Sequence, residues 1–134
     1  MTRGSLRAAV ATLIAGIGVA ATAGAAAGHH SLAMFDRDHP IELVGTVREF
    51  KFVSPHALIV LEVTDNDTQP VLWKLEGDSP NSLNWAGWSK ETLRPGDELR
   101  LTVDPLRSGA HGGGWHARTT TYKDGRPVAI VPGK

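Results

Sequence analysis

The sequence predicts a mostly β protein: a small barrel of five or six strands with one short helical segment between strands three and four. Three observations predict it. Apolar and polar residues alternate with a period of two in several short runs, as they do in half-buried strands. A single helix-start signal, Ser79-Pro80, falls after the third run and before the fourth. What remains after an N-terminal targeting segment has the length of one small domain.

The targeting segment comes first, over residues 1–27. Met1 to Arg7 carries two positive charges and no acid, Ala8 to Ala21 is apolar, and small residues follow through Gly28. That order reads as a secretory signal peptide, and the apolar run is shorter than the roughly 20 residues of a membrane span. Arg3 and Arg7 are not adjacent, which argues against a twin-arginine signal. The expected product is periplasmic or secreted, with no stable membrane insertion after cleavage. Ala25-Ala26-Ala27 is an A-x-A match that leaves Gly28 first; cleavage one residue later leaves His29 first. Ala23-Gly24-Ala25 is a third candidate site. Residues 28–134 are then expected to form a single small β-barrel domain.

Within that domain, the alternation from Leu43 to Val53 reads as the first strand. Ser54-Pro55-His56 interrupts it, as a proline does at a turn or strand edge. Ala57 to Val63 resumes as a more buried strand, Asp65 to Thr68 reads as a hairpin turn, and Val71 to Glu76 as the third strand, ended by Gly77. Ser79 supplies a cap and Pro80 the first helical position, so the helical segment is expected to run to about Leu93 with an interruption at Gly87. Arg94 to Asp97 is a tight turn and Glu98 to Val103 the fourth strand. Pro105 to Gly114 reads as a long loop, Trp115 to Tyr122 as the fifth strand, Lys123 to Arg126 as a turn, and Pro127 to Val131 as a last short strand. Three strands, a helix, then two or three strands is the element order of an OB-fold. A small β-sandwich is the rival arrangement.

Composition narrows the function. The 14 Lys and Arg balance the 14 Asp and Glu. Loss of Arg3 and Arg7 with the signal leaves 12 basic against 14 acidic residues, a net charge of −2. There is no basic field to gather nucleic acid, so no nucleic-acid partner is expected. The absence of cysteine excludes a disulfide framework, a thiolate metal site, an iron–sulfur cluster and a Cys nucleophile. Ser79 and Ser82 lack a G-x-S-x-G context, and Gly109 to Gly114 lacks the Lys-Ser/Thr ending of a phosphate loop. No spacing selects an acid–base pair among Glu76, Asp78 and Asp97. The reading therefore leans against an enzyme.

The histidines carry the sharpest chemistry. His29 and His30 lie within one or two residues of the expected new α-amino group. An amine and an imidazole together make a strong nitrogen site for Cu(II) or Ni(II). With Gly28 first, the amine, two deprotonated amides and the His30 imidazole can form a square-planar four-nitrogen site. With His29 first, its amine and imidazole chelate one copper and a second histidine completes a brace. His56, after Pro55 at the interrupted strand, is the best third ligand. Zinc is less attractive, since no H-E-x-x-H or H-x-x-E-H spacing occurs. His39, before Pro40, reads as turn surface, and Met34 with Phe35 as a plug for the barrel. His111 and His116 flank three glycines that either make a mobile loop or let another backbone approach closely. Trp73, Glu76, Trp85, Trp88, His111 and His116 form a candidate ligand surface, since aromatic side chains on a barrel face can stack bases or sugars.

At this point the chain resembles a family of small exported bacterial proteins of unknown function that begin, after the signal, with a His-His-Ser motif. The matching stretches are His29 to Asp36, Gly45-Thr46-Val47, Ser54-Pro55-His56, Trp73, Glu76 to Asn81, Gly87-Trp88, Leu93 to Asp97, and Pro105 to Gly109 with Gly113-Gly114. Family members often carry Asn where Ser54 stands and an acidic or amide residue where Ser108 stands. The resemblance implies export and a small β-barrel, and places His29, His30, His56 and Glu76 in one pattern. It implies no activity. The expected function is a periplasmic, non-enzymatic module that binds a metal, copper above others, through His29, His30 and His56. The alternative is an OB-like binding module for a small ligand or an exported protein, with no metal.

Overall fold

The computed structural model describes residues 32–64 and 69–129. Its elements are β1 (Ile41–Lys51), β2 (Leu58–Val63), β3 (Val71–Glu76), α1 (Pro80–Trp85), β4 (Glu98–Pro105), β5 (Gly112–Trp115), a 3-10 turn (Ala117–Thr119) and β6 (Thr121–Tyr122). The strands form one sheet in the order β1-β2-β3-β5-β4-β6, and β1 also pairs with β4. Five strands thus close into a barrel and β6 adds a sixth at the side of β4. This is the OB-fold-like barrel expected from the element order, and closure rules out the sandwich.

The longest strand makes closure possible. The first half of β1, Ile41 to Thr46, pairs antiparallel with β4. Its second half pairs antiparallel with β2, with a register shift between Val47 and Glu49. A bulge of this kind sharpens the local twist and lets one strand serve two neighbours. The alternation seen in the sequence becomes the core: Val47, Ile59, Leu61, Leu75, Leu99, Leu101 and Val103 are fully buried. Trp88, Leu83, Leu93 and Trp115 join the same cluster.

The structure corrects several expectations. The helix ends at Trp85, well before Leu93. Ser79 does cap it, its Oγ accepting from the Ser82 N–H at 3.2 Å. Gly87 then takes a positive φ of 82° and turns the chain, so Trp88 and Leu93 reach the core from turns. The fifth strand is Gly112–Trp115, and the glycines that read as the end of a loop are strand. A Cβ on Gly113 would lie 2.4 Å from the Asp104 carbonyl oxygen, and one on Gly112 3.0 Å from that of Lys74. Of the two readings of the glycine run, close backbone approach is the one realised. Residues 116–122, expected as strand, hold the 3-10 turn and β6 instead. Pro127 contributes an isolated bridge to Thr121 within the described residues, not a strand. Finally, Phe35 is buried and bridged to Leu106, but Met34 is 46% exposed and plugs nothing.

The expected signal segment, His29 and His30, and the expected turn at 65–68 lie outside the described residues. Among those described, no helix is long and apolar enough to cross a membrane.

Candidate functional site

A cavity of about 200 Å³ opens beside the start of the described chain. Leu32, Phe35 and Arg37 line it, together with His56, Glu76, Asp78, Asp104, Trp115 and His116. Three stretches of the fold bring these residues together. The turn before β2 carries His56, and the end of β3 carries Glu76. The parallel seam between β3 and β5 and the antiparallel seam between β4 and β5 place Glu76 opposite Gly114 and Asp104 opposite Gly114.

His56 is oriented by the backbone. Ala57 and Gly77 extend the β2–β3 pairing past the strand ends, through Gly77 N–H to Ala57 O at 2.8 Å and Ala57 N–H to Asp78 O at 3.0 Å. The Ser54–Pro55 peptide bond just before is cis. His56 Nδ1 lies 3.1 Å from the Gly77 carbonyl oxygen. A carbonyl can only accept, so Nδ1 carries the hydrogen and the neutral ring keeps its lone pair on Nε2. That is the arrangement in which proteins present a histidine to a metal. Nε2 in turn faces Glu76 Oε1 at 3.4 Å. A lone pair and a carboxylate facing each other leave a place for a shared cation, either a proton on Nε2 or a metal ion.

A second pair sits on the same cavity. His116 Nε2 lies 3.0 Å from Asp104 Oδ2, and Asp104 is buried, at 7% exposure. Trp115 is buried beside it, and its indole N–H has no hydrogen-bond partner among the described residues. The ring is held tightly: a Cβ on Gly77 would fall 2.3 Å from it. Among the described residues no three His, Asp or Glu side chains converge as a metal-binding group. A third ligand to the His56–Glu76 pair would have to come from outside them. Leu32 lines the cavity, and His30 is two residues before it.

The other candidates are placed elsewhere. His111 is exposed and packs at a tilt against Trp73, with ring centres 5.2 Å apart and 58° between the planes. Trp88 is a core residue at 3% exposure rather than an open ligand surface, and Trp85 is 82% exposed. Both tryptophans border a separate depression of about 540 Å³. His39 is exposed turn surface as expected, and its Nδ1 lies 3.1 Å from Asp36 Oδ2. That hydrogen bond, helped by the charge of Arg107, holds the Asp36 carboxyl below its ordinary value. So His56, Glu76 and His116 share one cavity, while Trp73 with His111 and Trp85 with Trp88 do not belong to it. Sequence reasoning missed Asp104 and Trp115. The one local signal for Asp104 was an acid extending the clean alternation of β4.

No curated protein matches the chain. Among solved structures, the mitochondrial single-stranded DNA-binding protein Rim1 from S. cerevisiae is similar at 13% identity and a TM-score of 0.48, over 63% of this chain and 93% of its own. A family model matches residues 15–116. That match takes in every strand up to and including β5, with His56, Glu76, Asp104 and His116. The chain belongs to DUF6152, a family of unknown function.

Proposed function

We propose that the protein is an exported, non-enzymatic metal-binding module that holds copper through His29 and His30, with His56 as a third ligand. One observation carries the reading: His56 turns a lone pair on Nε2 toward a carboxylate 3.4 Å away, in a cavity lined by Leu32. Two acceptors facing each other favour a cation between them, and imidazole nitrogen suits copper. The histidine pair two and three residues before Leu32 has the reach to join them. Glu76 supplies compensating charge and, with Gly77, fixes the ring. Imidazole must be deprotonated to ligate, so copper affinity falls as pH drops below about 6.5, where a free imidazole takes up a proton.

The test is native intact-mass spectrometry of protein exported with its own signal and purified without chelator or affinity tag. A chain starting at Gly28 or His29 with copper attached supports the reading and selects between the two amine geometries. A chain that stays metal-free when Cu(II) is offered overturns it.

A second reading, a binding module for a small ligand, is favoured by a different observation: Trp85 is 82% exposed on the border of the 540 Å³ depression.

A further inference from the structure

The depression beside Trp85 has a chemistry of its own. Its volume, about 540 Å³, lies in the range of small-molecule sites. The C-terminal end of α1 supplies Trp85, Trp88 forms part of the buried floor, and Pro127 and Ala129 close one side. Among the described residues, Arg118 is the only charged side chain that lines it. It makes no ion pair among the described residues. The site therefore combines an open indole, an apolar floor and one guanidinium, with an acid, Asp78, on the adjoining depression that Arg118 also lines.

We propose that this depression binds a small planar anion, an aromatic carboxylate by chemical class, with its ring against Trp85 and its carboxylate on Arg118. An exposed indole offers a flat face for stacking, and a guanidinium offers two parallel N–H donors that match a carboxylate. With Arg118 the one charge among the described lining residues, the site favours anions over cations. The flat wall selects a planar body over a branched aliphatic one. A neutral ligand would leave the guanidinium without its partner. The inference deepens the small-ligand reading of this depression; Trp85 and Arg118 do not line the His56 cavity, and it does not rest on the copper reading.

The experiment titrates the metal-free mature protein with 1-naphthoate, and in parallel with the neutral 1-naphthamide. Amide and indole cross-peaks in two-dimensional NMR report the binding place. Naphthoate is expected to shift the Trp85 indole and the Arg118 side-chain signals, and to bind at least about tenfold more tightly than the amide. Trp85→Ala and Arg118→Gln should each weaken it about tenfold or more; both side chains are exposed, and the unshifted remainder of the spectrum shows that each variant is folded. Equal binding of naphthoate and naphthamide, or shifts that survive both substitutions, would overturn the proposal. So would tighter binding of an oligothymidylate at the same signals, which would mark a nucleic-acid surface. A chain ended at Ala129 that binds naphthoate when the full chain does not would also overturn it, because the tail would then be the occupant. The same titration of the His29→Ala/His30→Ala protein separates this result from the fate of the copper site.

Discussion

The His56 cavity and the Trp85 depression are two sides of one partition. Trp115 lines the cavity and Trp88 the depression, and their rings lie 5.0 Å apart at 46°. On one side stand Glu76, Asp78 and Asp104 with two imidazoles and Arg37; on the other stand an exposed indole and Arg118. His116 lines the first and Arg118 the second, and both border with Asp78 a further depression that joins the two. The contrast teaches that charge sign here is set residue by residue on the rim, while the wall between the sides is shared core. Changes in the wall should damage both sides, and changes on either rim only one.

The largest effects should come from the wall. Gly113→Ala would place a Cβ 2.4 Å from the Asp104 carbonyl oxygen, a backbone atom that cannot swing away. Chemical denaturation should show a loss of about 3 kcal/mol or more, in the upper range for overpacking. Gly77→Ala drives a Cβ into the Trp115 ring. It should lose about 2 kcal/mol and perturb both the copper and the naphthoate titrations. If Gly77→Ala weakened only one of them, the shared wall would be the wrong description.

Rim changes should sharpen the contrast. The His29→Ala/His30→Ala pair should lower Cu(II) affinity at least about 100-fold, or about 2.8 kcal/mol, in a competition titration. The unfolding midpoint of the metal-free protein should not move. Glu76→Gln keeps the shape beside His56 but removes the facing charge. A loss of about tenfold in Cu(II) affinity is expected, the lower end for groups that support a metal ligand, with naphthoate binding unchanged. The smallest effect belongs to Asp36. Its carboxyl is held below the ordinary 3.8 by the His39 hydrogen bond and the Arg107 charge. A depressed folded value adds stability above pH 3.8 that is lost as pH falls through it. Asp36→Asn should therefore flatten the acid limb of the stability profile slightly, and salt should mask the difference because the pair is exposed.

The strands with alternating side chains were legible to within about two residues at most ends, because burial of every second residue writes itself into β1, β3 and β4. β5 was not, because a strand of three glycines has no side chains to alternate; its signal is the closeness of β3 and β4. The helix is shorter than the sequence suggests because the chain turns at Gly87, and Trp88 and Leu93 reach the core past that turn. His56 and Glu76 could be picked out as residues of one pattern. Asp104 and Trp115 could not, since the pairings Asp104 with Gly114 and Val103 with Trp115 join them to the cavity only through the register of the barrel.

The double pairing of β1 has a consequence for how the molecule assembles. Its second half meets β2 at separations as short as the 7 residues between Lys51 and Leu58. Its first half waits for β4, up to 62 residues away between Ile41 and Val103. The entropy of closing a loop rises with its length and must be met before distant pairs reward it. The β1–β2–β3 meander is therefore the early folding unit and the β1–β4 seam the late one. A nascent chain that ends before Glu98 keeps Leu43 and its neighbours on an open edge, so the barrel closes only after most of the protein has been made.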